Sequence, residues 1–153
     1  MTDSMPELRG PVDFVLIEFT GNRLTGGAAA ALLDLVDRGI VSVYDVLIIG
    51  KDADGAAYAV DLAEEAAELG GFKDLAWART GILSDDDMQE AAGAMEPGTL
   101  AALLVYENTW AIPFIAADWE SGGHLIAGGR LATQDVTDAL DALEAQLSTT
   151  SGD

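Results

Sequence analysis

Two apolar runs of strand length, Val12–Phe19 and Thr99–Glu107, constrain the fold of this chain more than any other feature. The first carries Phe14 and Leu16 on one side and Val15, Ile17 and Phe19 on the other. The second is apolar on both sides from Leu100 to Tyr106. A strand with one solvated face alternates apolar and polar residues, so strands apolar on both faces need cover on both. The cover is either helices of the same chain or a second copy of it.

The segments around these runs read as a repeat. After the first run, Thr25 can cap a helix from Gly26 to Arg38, with Ala29, Leu32, Leu33 and Val36 on one face and Gly39 as its stop. Ile40–Ile49 is a second strand. After the later run, Asn108 or Thr109 can cap a helix to Glu120, and Pro113 falls near its first turn, where a missing N–H matters least. His124–Leu131 would be the returning strand. Two strand–helix–strand halves imply an α+β fold, a ferredoxin-like sandwich with added helices between the halves and at the C-terminus. Its two opening strands would be parallel neighbours at the sheet centre, with both crossover helices on one face.

Between the halves, Lys51-Asp-Ala-Asp-Gly55 reads as a hairpin turn, with Ala56–Val60 as the return. As a calcium loop it would need an acid where Gly50 stands and a Glu where Asp61 stands. Asp61 can cap a helix over Leu62–Leu69, and Phe72–Gly81 has no readable pattern. Ser84 with Asp87 forms a capping-box-like start for a helix to Met95, which Glu96-Pro-Gly98 ends. Thr133 opens a last helix to Leu147, with Val136, Leu140, Leu143 and Leu147 on one face. The chain thus divides into a flexible N-terminal arm (1–10), a single ferredoxin-like domain (11–147) and a polar tail (148–153).

Composition narrows the functions. The chain carries 27 acids against 7 bases, a formal charge of -20. Binding nucleic acid or an anionic membrane requires clustered Lys and Arg, and the seven here are scattered. An acidic surface keeps a protein soluble and suits cationic partners. The absence of Cys excludes thiolate catalysis, disulfides and Cys-type metal sites. No basic region followed by an apolar run opens the chain, and no apolar run reaches the roughly 18 residues of a membrane span. The expectation is a cytoplasmic protein with no cofactor and no metal.

The stretch Leu103-Leu-Val-Tyr-Glu-Asn-Thr-Trp-Ala-Ile-Pro-Phe114 resembles an uncharacterised family of small acidic proteins from high-GC Gram-positive bacteria. Gly10-Pro-Val-Asp13, Gly122-Gly123 and Gly128-Gly129-Arg130 fit the same resemblance. That family is similar to a second uncharacterised, membrane-associated family, through Val46–Asp54 and Met95-Glu-Pro-Gly-Thr99. Members of the second family carry a glycine-rich apolar hairpin where this chain has the more polar Ala63–Leu83. The resemblance spans roughly Gly10 to Leu147 and implies no activity, because both families are of unknown function.

Four sets of residues are candidates for chemistry or binding. Parallel neighbouring strands would place Glu18 and Glu107 side by side, and two close carboxylates raise the pKa of one of them and can move a proton. Each is otherwise a polar strand end. His124, the single histidine, could act as a base beside Asp118 or Glu120, or stand as a polar strand residue. Asp85-Asp86-Asp87 suits a helix N-terminus and has no partner His. Trp110 and Phe114 share a face of the second crossover helix, one turn apart. Trp119 lies on the opposite side from Trp110, at about 100° per residue. These three aromatics are the candidate interface. The favoured function is a non-enzymatic binding or assembly module that self-associates as a homo-oligomer, with a cationic protein or a small molecule as a further partner. The alternatives are an enzyme using Glu18, Glu107 and His124, and a sensor domain responding to a small molecule.

Overall fold

The computed structural model describes residues 8–19, 26–61 and 71–150. The cap expected at Thr25 and the helix expected over Leu62–Leu69 lie outside them. The chain forms two compact units, residues 1–123 and 124–153.

The first unit is built on a four-stranded sheet of β1 (Val12–Phe19), β2 (Ser42–Lys51), β3 (Ala57–Val60) and β4 (Thr99–Glu107), in the order β1-β4-β2-β3. Every neighbouring pair is antiparallel. β1 and β2 therefore run parallel, with β4 between them and helix α1 (Gly26–Asp37) connecting them. Gly39 ends α1 at φ 71°, where its N–H meets the Val36 carbonyl and the Ile40 N–H meets that of Leu35. This is a Schellman closure, which glycine enters without strain.

Two features correct the ferredoxin-like expectation. The opening strands are neighbours but antiparallel: Val12 stands opposite Glu107, and Glu18 opposite Ala101. An apolar run records burial on two faces and carries no information on direction. Second, His124–Leu131 forms no strand. Glycine pairs at 122–123 and 128–129 bracket a short apolar run, and glycine makes extended pairing costly in backbone entropy. The fold is mixed α+β, with helices on both faces of the sheet.

One face is closed by α1 and by a 3-10 helix, Phe72–Ala78. Ala29, Phe72 and Leu75 pack there with Val46 and Ile48 of β2 and with Leu100 and Leu104 of β4. Phe19 meets Phe72 edge-on at 6.3 Å. The other face is covered by helix α2 (Asp85–Gly93), whose Met88 and Ala92, with Met95 beyond its end, pack on Leu47, Ile49, Ala101 and Leu103. β4 thus receives cover from its own chain on both sides, whereas on the α2 face only Leu16 of β1 joins the packed cluster. Ser84 and Asp87 form the expected capping box. Lys51 closes the other end of α2: its Nζ donates to the carbonyls of Ala92 and Met95, each at 2.9 Å. A cation is favoured at that end of the helix dipole.

The turn after β2 is the expected hairpin. Asp52 Oδ1 accepts from the amides of Asp54 and Ala56, and Gly55 takes φ 89°. After β4, a 3-10 turn (Thr109–Ala111) leads into helix α3 (Ile112–Glu120). Pro113 sits in its first turn, as expected. α3 buries none of its residues, so it is not the sheet-packed crossover helix that the repeat implied.

In the second unit, residues 124–132 are irregular and lead into helix α4 (Thr133–Thr150). Gln134 donates to Asp138 one turn on. Val136, Leu140, Leu143 and Leu147 form its apolar stripe. Among the described residues, no helix is long and apolar enough to cross a membrane.

Candidate functional site

The expected carboxylate pair does not form. Glu18 and Glu107 sit at opposite ends of the antiparallel β1–β4 pair, six residues apart in register. At about 3.4 Å per residue that is roughly 20 Å. Each is instead engaged in its own hydrogen-bond set.

The Glu107 site is created by a bulge. Val43 pairs with Tyr106 and Asp45 with Val105, which leaves Tyr44 as the extra residue of β2. A bulge re-aims side chains. Here the Tyr44 hydroxyl donates to Glu107 Oε1 at 2.5 Å and accepts from Arg9 Nη1 at 2.7 Å. The Arg9 guanidinium also lies 5.8 Å from the centre of the Tyr44 ring. Glu107 Oε2 accepts the Gly10 N–H at 2.6 Å. Glu107 is 5% exposed, so its carboxyl oxygens depend on these donors in place of water. A Cβ at position 10 would collide with the Asn108 carbonyl oxygen, so only glycine brings its amide this close. The hydrogen bond to Glu107 holds the Tyr44 phenol above its ordinary pKa, burial adds to this, and the Arg9 hydrogen bond opposes it. The expected arm is therefore tied to the sheet at Arg9 and Gly10; residues 1–7 lie outside the described residues.

Glu18 fastens the other end. Its Oε2 accepts the Glu96 N–H at 2.6 Å and the Thr99 hydroxyl at 3.1 Å, which holds the turn before β4 against β1.

Asp45, next to the bulge, escaped the sequence reading. It is fully buried, and it accepts from the amides of Val46 and Leu83, both at 2.9 Å. Arg79 lies 3.7 Å from it and donates to the Val46 carbonyl at 2.6 Å. Thr80 donates to the Tyr44 carbonyl. Asp45 thereby anchors the segment that carries the chain from one face of the sheet to the other. The signal was present in the sequence: a single acid inside the apolar run Ile40–Ile49. Every buried side-chain polar atom among the described residues has a partner.

His124 is exposed in the irregular start of the second unit. Asp85 and Asp86 lie with Asp87 in the first turn of α2, where the helix dipole favours acids. Among the described residues, no three His, Asp or Glu side chains gather as a metal site.

The three candidate interface aromatics are all solvent-facing: Trp110 is 60%, Phe114 67% and Trp119 46% exposed. Trp110 precedes α3, and its indole N–H donates to Asn108 at 3.2 Å. Phe14 of β1 is likewise exposed, beside an open groove against α2.

No curated protein and no solved structure matches the chain. One family model does match, over residues 8–149, which span both units. The chain belongs to that family, DUF6325, a family of unknown function.

Proposed function

We propose that this protein is a non-enzymatic assembly module that self-associates through the exposed aromatics Trp110, Phe114 and Trp119 on and beside α3. The observation that carries this reading is α3 itself. The helix is apolar along much of its length, yet none of its residues is buried. Exposed aromatics at this density, in a chain with 27 acids, favour a protein contact, where large rings add contact area at little entropic cost. Association has to overcome the repulsion between two chains of charge -20, so it strengthens as salt screens that charge. Sedimentation velocity over a range of protein and salt concentrations tests this. The expected result is a dimer or larger species, favoured by salt and lost in the double variant Phe114→Ser, Trp119→Ser with unchanged circular dichroism. A wild-type chain that stays monomeric throughout would overturn the reading.

A further inference from the structure

A second surface points to a different partner. The face of the sheet covered by α2 is open beside β1. There a groove of about 600 Å³ has Leu103 and Val105 of β4 as its floor, and Phe14, Leu16, Leu83 and Ala91 at its sides. Phe14 is 68% exposed. Glu90 and Asp87 of α2 also line the groove, and no Lys or Arg does so among the described residues.

The groove runs beside a strand edge that is unpaired among the described residues. Among the described residues, β1 is the outer strand of the sheet. The Asn108 N–H donates to the Pro11 carbonyl at 2.8 Å. Bonded and non-bonded pairs alternate along an antiparallel ladder. From that bond and the register, Asp13, Val15 and Ile17 direct their backbone groups at β4, while Val12, Phe14, Leu16 and Glu18 direct theirs outward. Edge strands are ordinarily blunted by Lys, Pro or bulges. β1 has no Lys, Arg or Pro, its two acids are engaged within the chain (Asp13 by Asn108, Glu18 by the turn before β4), and its register with β4 is unbroken over all its residues. The outward backbone groups and the groove-lining side chains belong to the same residues, Val12, Phe14 and Leu16. An added strand would therefore gain main-chain bonds and an apolar trough together.

Charge selects the occupant. A second copy docked through the same edge would bring its own Glu90 and Asp87 to this groove, like charge against like. A cationic segment meets Glu90 and Asp87 with opposite charge. We infer that β1 and its groove form a docking site for an extended segment of a basic partner protein, added as a fifth strand, with apolar residues at alternate positions and Lys or Arg at its ends.

The probe is the peptide Lys-Lys-Val-Thr-Val-Thr-Val-Lys-Lys, fluorescently labelled, beside a counterpart with Glu at its four end positions. Binding to the full chain is read by anisotropy and by amide hydrogen exchange. The Lys peptide is expected to bind, to weaken with salt, and to give new protection at the amides of Phe14 and Leu16. Glu90→Lys, on the exposed side of α2, should weaken it about tenfold or more, and so should Phe14→Ser. Both altered side chains are solvent-facing, so the fold survives the changes. Equal binding of the Glu peptide, indifference to Glu90→Lys, or no new protection at Phe14 and Leu16 would overturn the inference. So would protection of those amides without peptide that grows with protein concentration, since a second copy would then be the occupant. The double variant of α3 leaves peptide binding unchanged, which separates this site from the self-association surface.

Discussion

The two faces of the sheet make the same demand and receive different answers. Over α1 and the Phe72–Ala78 helix, the apolar side chains of β2 and β4 are sealed, and β1 contributes Val15 and Phe19 to the seal. On the other face α2 covers β2 and β4, and of β1 only Leu16 reaches the packed cluster. Phe14 and Phe19 lie on the same strand. Phe19 packs edge-on against Phe72, whereas Phe14 is largely in water. A strand apolar on both faces thus does not have to be core on both faces. Where the chain supplies too little cover, the residual apolar surface is what a partner can use.

Paired substitutions test that contrast most strongly. Phe72→Ala empties a site that is 1% exposed and should cost about 3–5 kcal/mol in urea denaturation. Phe14→Ala should cost no more than about 0.5 kcal/mol, as surface changes do. Equal costs would break the comparison, because the open face would then be closed in solution. A second pair asks the same of the carboxylates. Asp45→Ala removes the acceptor from two amides and leaves Arg79 without its counter-charge, at a cost of about 3 kcal/mol. Glu18→Ala, at the exposed end of β1, should cost about 1 kcal/mol.

Much of this was visible in the sequence. The bounds of β1 and β4, the α1 stripe, the Ser84 start and the Asp52 turn follow from local chemistry, and each stands in the fold. The direction of pairing did not follow. Val15-Leu-Ile-Glu18 and Leu104-Val-Tyr-Glu107 look alike as strings, but likeness of composition is compatible with either direction. That ambiguity produced the expectation of a Glu18–Glu107 pair, while the returning strand expected at His124–Leu131 rested on a short apolar run between glycine pairs that forms no strand. The Glu107 cluster was hidden for a different reason. It depends on a bulge that turns Tyr44 toward a strand distant in sequence and on the close approach of Gly10, and no spacing rule reports such contacts. The open surfaces were half legible. Trp110, Phe114 and Trp119 stood out by type, while the groove at Phe14 depends on how far α2 extends across the sheet.

A pH-dependent effect concerns the N-terminus of α2, the helix that covers the incompletely closed face. Ser84 Oγ accepts the Asp87 N–H at 3.2 Å, and Asp87 Oδ2 accepts the Ser84 N–H at 2.8 Å. The bonds that Asp87 accepts, from the Ser84 amide first and its hydroxyl second, hold its carboxyl below the ordinary aspartate value of 3.8. A pKa lowered by folding stabilises the folded state above the unfolded value, and the contribution fades as pH falls through the folded value. Ser84→Ala, which removes the side-chain cap, should cost about 1 kcal/mol at neutral pH. The wild-type advantage over Ser84→Ala should then shrink once the solution is well below pH 3.8, as Asp87 takes up a proton. Urea denaturation of both proteins at neutral and strongly acid pH measures the difference. An advantage that persists undiminished in acid would mean that the bond from the Ser84 hydroxyl to the Asp87 carboxylate contributes nothing to the cap.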